Sequence, residues 1–233
     1  MTFKDDLESE VSEIFSSAWT VREGRTVPDL ENIKLGDNDA VKLDATVLYA
    51  DMNDSTDLVD QFTNEFAAQI YKAYLRCAAR IIKKEQGTIT AYDGDRIMAV
   101  YRDETKNDLA VRSAMKINYA VREIINPLLK KKYPEKDYQL KQVIGIDTSE
   151  LFVARVGVKN DSDLVWVGRS ANYAAKLCNL DDYSTYITGD VFDTMSDSVK
   201  YSSKDKELMW TKLIWKARDN KTIYGSSWQW DIG

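Results

Sequence analysis

The dipeptide Asp93-Gly94 sits between two short runs, TITAY and RIMAVY, and it restricts the possible folds of this chain more than any other stretch. Asp-Gly flanked by alternating apolar residues is a strong hairpin signal, because a type I′ turn needs positive φ at both central residues. The two runs are therefore antiparallel neighbours, with Asp95 at the tip of the hairpin. Upstream stands an apolar strand over residues 44–52, DATVLYADM. A long amphipathic helix follows at about 64–85, with Phe66, Ile70, Tyr74, Cys77 and Ile81 on one face and Gly87 placed to cap its end. Downstream, a second helix is expected from roughly 106 to 130, carrying Leu109, Val111, Met115, Val121 and Ile125. It closes on Lys130 to Lys132, which suit the negative end of the helix dipole.

Two more strands, QVIGIDTS and LFVARVGV, are separated by little more than Glu150. They are followed by LVWVG, a helix through ANYAAKLCNL and an α/β tail ending in KTIYGSSWQW. The order βαββαβ predicts an α+β, ferredoxin-like fold, with helices packed on one face of an antiparallel sheet and a C-terminal α/β extension. In that topology the second hairpin strand lies antiparallel beside the first strand, so Asp51 and Asp95 converge on one edge of the sheet. Residues 1–40 read as an N-terminal arm, with helical spacing in DDLESEVSEIF and a loop-like WTVREGRTVPDLENIKLGDND; residues 41–233 read as one domain.

Composition narrows the chemistry. The chain has 233 residues, enough to bury a sizeable core, and 38 acidic against 32 basic residues, a net charge of −6 that argues against nucleic acid as the main partner. It contains no histidine, which excludes histidine-based triads and histidine-ligated zinc or haem and leaves carboxylates as ligands for a hard cation such as magnesium or manganese. Cys77 and Cys178 both fall in helix-like apolar stretches, as buried thiols of a reducing compartment do. No apolar run approaches the roughly 18 residues of a membrane span, and MTFKDDLESEV is too charged for a signal peptide. A cytoplasmic protein without membrane association is expected.

Taken singly, each acidic residue has a local explanation. Asp51 ends an apolar strand, where turn and cap roles are common, and Asp93-Gly94-Asp95 needs no function beyond a turn. Their convergence changes the argument: two carboxylates brought together repel, and a divalent cation relieves that repulsion while creating a site for phosphoryl transfer. Met52, Asn53, Asp54, Ser55 and Thr56 lead into a helix start, where backbone N–H groups bind phosphate or where Ser55, Thr56 and Asp57 simply cap the helix.

The runs VLYADMNDST, AYDGDRIMAVY and WVGRSANYAAKL resemble the three signature segments of class III nucleotidyl cyclases, over roughly residues 40 to 230. The resemblance implies that Asp51 and Asp95 hold two divalent ions, Mn2+ or Mg2+, with the Met52 carbonyl as a further ligand. It implies a site shared across a head-to-tail homodimer. Asn172 matches the asparagine that orients the ribose, and Lys176 falls where most relatives carry a transition-state arginine; a lysine supplies charge without the bidentate fork. Lys216 or Arg218, in IWKARDNKTIY, matches a triphosphate-binding lysine, although a solvated cluster at a strand end explains both equally well.

Base choice follows from departures. Three residues before Gly94 and Gly168 stand Ala91 and Val165, where adenylate cyclases have a lysine and an acidic or polar residue, and guanylate cyclases Glu and Cys. Neither side chain makes those hydrogen bonds, and a site lacking its polar partners discriminates poorly for a purine. Tyr49 and Arg96 both hydrogen-bond and stand beside the metal aspartates; the alternatives are a core aromatic and a surface charge. This combination is similar to the pyrimidine cyclases of bacterial Pycsar antiphage defence, which implies UTP or CTP as substrate, cyclic UMP or cyclic CMP as product, and a separate effector that responds to the product. Uridylate is the expected product, with cytidylate cyclase, adenylate cyclase and an inactive nucleotide-binding module as alternatives. A diguanylate cyclase is disfavoured because YDGDR replaces its turn motif.

Overall fold

The computed structural model describes residues 2–233; Met1, the first residue of the expected arm, lies outside them. Contacts divide the chain into two compact units, the residues up to Asp44 together with Glu150–Gly168, and Ala45–Ser149 together with Arg169–Gly233.

In the first unit, α1 (Phe3–Ser16) opens on a capping box in which the Thr2 hydroxyl accepts from the Asp5 N–H at 3.2 Å and the Asp5 carboxylate accepts from the Thr2 N–H at 2.7 Å. None of its residues is buried. The segment read as a loop contains a strand, β1 (Thr20–Glu23), which runs parallel to the start of β2 (Asp39–Met52) with Thr20 opposite Asp39. Every residue of β1 is exposed, so no burial pattern marks it in the sequence; backbone pairing and the Arg22–Asp39 ion pair hold it. The two predicted strands around Glu150 form one, β5 (Gln142–Val158), whose outer half pairs antiparallel with β6 (Asp161–Val167).

In the second unit the strand order is β3 (Thr88–Asp93), β4 (Arg96–Tyr101), β2, β5, β7 (Thr185–Thr188), β9 (Lys221–Ser226), β8 (Thr211–Trp215). Its first four members reproduce the ferredoxin-like arrangement, with the hairpin's second strand beside the first strand. The helices are α2 (Ser55–Gln61), α3 (Asn64–Lys84), α4 (Lys106–Tyr119), α5 (Asn126–Lys132), α6 (Arg169–Leu177), α7 (Gly189–Thr194) and α8 (Asp197–Lys200). The single helix predicted near 106–130 is α4, a π-helical stretch Ala120–Ile125, and α5.

Strand alternation sorts side chains between two cores. Leu48, Ala50, Met52, Ile144 and Ile146 meet Phe66, Ile70 and Tyr74 of α3 and Ala110 and Ala114 of α4. Each such large side chain contributes on the order of 1.5–3 kcal/mol of hydrophobic free energy. The intervening residues Val143 and Tyr49 pack instead with Leu177 and Cys178 at the end of α6 and with Trp215. Helices therefore cover both faces of the sheet, where only one covered face was expected.

Two local expectations need correction. The left-handed residue that ends α3 is Gln86, at φ 63°, whereas Gly87 is required by space, since a Cβ there would lie 2.7 Å from the Tyr101 ring. In the hairpin, Asp93 pairs with Arg96, so the central residues are Gly94 and Asp95. Only Gly94 has positive φ, at 60°, the pattern of a type II′ turn with glycine first, in place of a type I′ turn centred on Asp93-Gly94.

Candidate active site

The β2–β4 ladder runs antiparallel from Thr46 opposite Tyr101 to Ala50 opposite Ile97. One further step along that register sets Asp51 against Arg96 and brings the hairpin tip, with Asp95, beside Met52. The Arg96 guanidinium donates to Asp51 Oδ2 from Nε at 3.0 Å and from Nη2 at 2.5 Å. It also lies over the Tyr49 ring, 5.9 Å from its centroid. Hydrogen bonding to Asp51 raises the Arg96 pKa above its ordinary value against the opposing effect of burial. Burial raises the Tyr49 phenol, with Arg96 pulling the other way, so Tyr49 is a neutral donor at physiological pH.

Asp95 Oδ2 is buried and has no hydrogen-bond partner among the described residues, and the same is true of the Tyr74 hydroxyl. Tyr74 comes from the middle of α3 and is fully buried. Its pKa is raised well above the usual tyrosine value by burial first and then by Cys178, Asp51 and Asp95. Buried polar atoms without partners are costly, so an orphaned carboxylate oxygen is one that a positive charge would satisfy. Among the described residues no group of three or more acidic, histidine or cysteine side chains could by itself hold a metal ion. Two carboxylates and the Met52 carbonyl nevertheless fit hard divalent cations of the kind that take one or two protein carboxylates and complete their shell with phosphate oxygens and water.

The loop after β2 behaves differently from its sequence reading. The Asn53 N–H donates to the Lys141 carbonyl at 3.0 Å and is unavailable to a phosphate. Asp54 occupies the N-cap of α2 in the left-handed conformation, at φ 57°, without a side-chain cap bond, and Ser55, Thr56 and Asp57, expected as caps, lie inside the helix. The first-turn N–H groups of Ser55 and Thr56 remain as donors. Nearby, the Tyr138 hydroxyl is buried without a partner, its pKa pushed up to about 12 by burial and then by Tyr71, Asp54 and Asp95.

A second set of predicted residues gathers at α6. Gly145 of β5 lets this helix approach the sheet: a Cβ there would meet the Ala174 carbonyl oxygen at 2.0 Å. Ser170, Ala171, Ala174 and Leu177 form the buried side of α6, while Asn172 and Lys176 are exposed one turn apart on its outer side. Tyr173 meets Trp215 edge-on at 5.3 Å, and Arg218 lies over the Trp215 ring at 5.8 Å, which links α6 to the short 3-10 turn Lys216–Arg218. Lys216 is exposed. The Cys178 thiol, raised to about 12 by burial, donates weakly to the Tyr49 carbonyl at 3.5 Å. Ala91 stands opposite Met98 just past an irregularity in the β3–β4 pairing. Val165, on β6, belongs to the other unit, where it stands opposite Ala154 of β5.

One cluster escaped the sequence reading. Asp147 of β5 is fully buried and accepts from the Thr188 hydroxyl at 2.5 Å and from Arg169 Nε at 3.1 Å. Arg169, the first residue of α6, also donates to the Thr148 carbonyl at 2.6 Å and pairs with Asp190 at 2.5 Å. Desolvation raises the Asp147 pKa, while Thr188 and Arg169 oppose it. The signal was an acid at a core-facing position of the apolar strand QVIGIDTS, which demands a buried partner.

Solved structures that share the architecture include cyclases and a cyclase-like protein. The chain matches an adenylyl cyclase from P. aeruginosa with a TM-score of 0.64 and 20% identity, covering 80% of this chain and 95% of that one. A class III adenylyl cyclase-like ATP-binding protein from Pseudomonas aeruginosa matches with a TM-score of 0.66 and 19% identity, over 85% of this chain and 45% of that one. The guanylate cyclase domain of a protein from Catenaria anguillulae, solved with GTP, matches with a TM-score of 0.62 and 14% identity, over 81% and 99%. The fold is thus that of a class III nucleotidyl cyclase catalytic domain. No protein-family model matches the chain. Two curated relatives, each named uridylate cyclase, from Xanthomonas perforans and Burkholderia cepacia, are each 48% identical over 100% of both chains. With a third of that name from Rhodovulum at 34% over 98% of this chain, they show that the protein belongs to the uridylate cyclase family and is a nucleotidyl cyclase.

Proposed function

We propose that the protein converts UTP to 3′,5′-cyclic UMP and pyrophosphate. The observation that carries this reading is the full-length, 48% identity to two proteins named uridylate cyclase. In the reaction the ribose 3′-oxygen forms a bond to the α-phosphorus, the bond from that phosphorus to the β-phosphate oxygen breaks, and the hydroxyl proton passes to solvent. Asp51, Asp95 and the Met52 carbonyl hold two divalent cations, Mn2+ or Mg2+. When bound, these supply charge that lowers the pKa of the attacking hydroxyl and stabilises the departing pyrophosphate.

The remaining roles fall to this chain's own side chains. Asn172 orients the ribose and Lys176 places a positive charge at the transferring phosphate. Ser55, Thr56 and Lys216 or Arg218 bind the triphosphate, with Asn53 and Asp54 shaping the loop. Tyr49 and Arg96 hydrogen-bond the pyrimidine, and neither Ala91 nor, in the other unit, Val165 carries a polar group that a purine could use. In this reading residues 41–233 form the catalytic domain and residues 1–40 an arm. Two copies pair head to tail, because Asn172 and Lys176 face outward on α6 and serve the carboxylates of the partner subunit. No helix among the described residues is long and apolar enough to cross a membrane, in keeping with a cytoplasmic enzyme whose product acts on a separate effector in antiphage defence.

The test is to incubate the pure protein with each of the four nucleoside triphosphates and Mn2+ and to identify products by chromatography. Cyclic UMP as the main product is expected. Cyclic CMP would make the protein a cytidylate cyclase, cyclic AMP alone would overturn the pyrimidine reading, and no product from any nucleotide would leave a nucleotide-binding module.

A further inference from the structure

Within the proposed active site one residue is committed twice. Arg96 places both Nε and Nη2 on a single oxygen of Asp51, at 3.0 and 2.5 Å, and rests its guanidinium over the ring of Tyr49, 5.9 Å from the centroid. The pair is built into the sheet, since the β2–β4 register that sets Ala50 against Ile97 sets Asp51 against Arg96 one step further. The partner carboxylate is treated differently: Asp95 Oδ2 is buried and unpaired. Asp51 has its positive charge supplied from within, and Asp95 does not.

A guanidinium and a divalent cation on one carboxylate repel each other across a few ångströms of partly excluded solvent, so they compete for Asp51. Tyr49 stands two residues before Asp51 in β2, on the same face of the strand. Its ring, which the guanidinium already overlies, keeps hold of it by cation–π attraction when the carboxylate is given up. The Asp51 side chain is 14% exposed and that of Arg96 32%, so a cation can approach and the arginine has room to swing.

We propose that Arg96 is an internal counter-ion of the metal site: it neutralises Asp51 while no cation is bound, yields the carboxylate when a cation arrives with nucleotide, and is thereby released over Tyr49 toward the base or triphosphate. This rests on the two-cation reading of Asp51 and Asp95. It makes cation and nucleotide binding positively coupled, because each removes an obstacle to the other, and such coupling is reciprocal.

The test measures binding without turnover. Free Mn2+ is followed by its paramagnetic resonance signal as it is titrated onto the whole protein, alone and with 3′-deoxy-UTP, which lacks the attacking hydroxyl. Wild type, Arg96→Met and Arg96→Lys are compared, with thermal melting to confirm folding. The expected result is that Arg96→Met binds Mn2+ alone about tenfold more tightly than wild type, as the loss of a charge-assisted competitor requires. It should also lose most of the tightening that the nucleotide analogue produces in wild type. Arg96→Lys, which keeps the charge without the fork, should fall between them, and it carries the test if the methionine variant does not fold. Equal or weaker Mn2+ binding by the variants would overturn the exchange while leaving the metal site standing. No Mn2+ binding by any form, even with the analogue, would overturn the two-cation reading itself.

Discussion

The molecule contains two aspartate–arginine pairs that look alike on paper and differ in what surrounds them. Asp147 is fully buried, and Thr188 and Arg169 both donate to it. Its arginine is also fastened elsewhere, to the Thr148 carbonyl and to Asp190. Asp51 is partly exposed, Arg96 is its one charged partner among the described residues, and Asp95 at the hairpin tip is left with an orphaned oxygen. The first pair joins β5, α6 and β7, and its carboxylate is fully buried with donors on both oxygens. The second is under-coordinated at the end of a strand. Saturation distinguishes a polar cluster that holds a fold together from one that is available to a ligand.

The comparison breaks first on activity. Asp51→Asn and Asp95→Asn should each lower the rate of cyclic nucleotide formation by about a thousandfold, as the loss of charge that positions and stabilises a transferring phosphate does. Folding stability should change by no more than about 1 kcal/mol, because Asp51 stands at the end of β2, Asp95 lies in the hairpin turn, and asparagine keeps the shape of each side chain. Product formation at the wild-type rate by Asp51→Asn would remove the catalytic half of the comparison.

Stability gives the next effect. Asp147→Ala should lower the free energy of unfolding by about 3 kcal/mol, the cost of leaving a partly buried cation and a buried hydroxyl without their acceptor. Urea denaturation reads it directly, and an unchanged midpoint would show that the buried cluster does not brace the fold. A smaller and more selective effect is expected on the helix that Arg169 anchors. Lys176→Ala should lower kcat by about tenfold to a hundredfold with little change in KM, whereas Lys176→Arg should keep or raise it, since arginine restores the fork. A loss confined to KM would move Lys176 from transition-state contact to substrate binding.

What the sequence disclosed follows the same division. The ferredoxin-like order was legible because it depends on local signals: an apolar strand, a turn dipeptide and a helical period. Asp147 stayed unread because its meaning lies in Thr188 and Arg169, which are distant in sequence, and nothing in GIDTS says that an arginine will arrive. The loop at Asn53 was read as a row of phosphate donors, but one N–H is spent on the Lys141 carbonyl, a tertiary contact without local cause. The exposed strand β1 was missed because pairing with β2 holds it while its side chains bury nothing. The ion pair between Asp51 and Arg96 was also hidden, since Arg96 read alone is a charge beside a turn.

The smallest effect tests the buried pair by protonation. Desolvation holds the Asp147 carboxyl above the ordinary aspartate value of 3.8, despite the opposing donors Thr188 and Arg169. Between that ordinary value and the raised one, the folded protein keeps a proton that the unfolded chain has released. The contribution of this group to stability is therefore complete below the unfolded pKa and declines as pH rises through the folded pKa. Asp147→Asn has nothing to ionise and keeps an acceptor for Thr188. Its stability relative to wild type should improve as pH rises through that window, by an amount small beside the loss from Asp147→Ala. Urea unfolding at a series of pH values checks this, and a difference between the two proteins that stays constant across the window would show that solvent or Arg169 compensates the charge fully. In that case burial would no longer separate Asp147 from Asp51, and the saturation of its hydrogen bonds alone would carry the distinction.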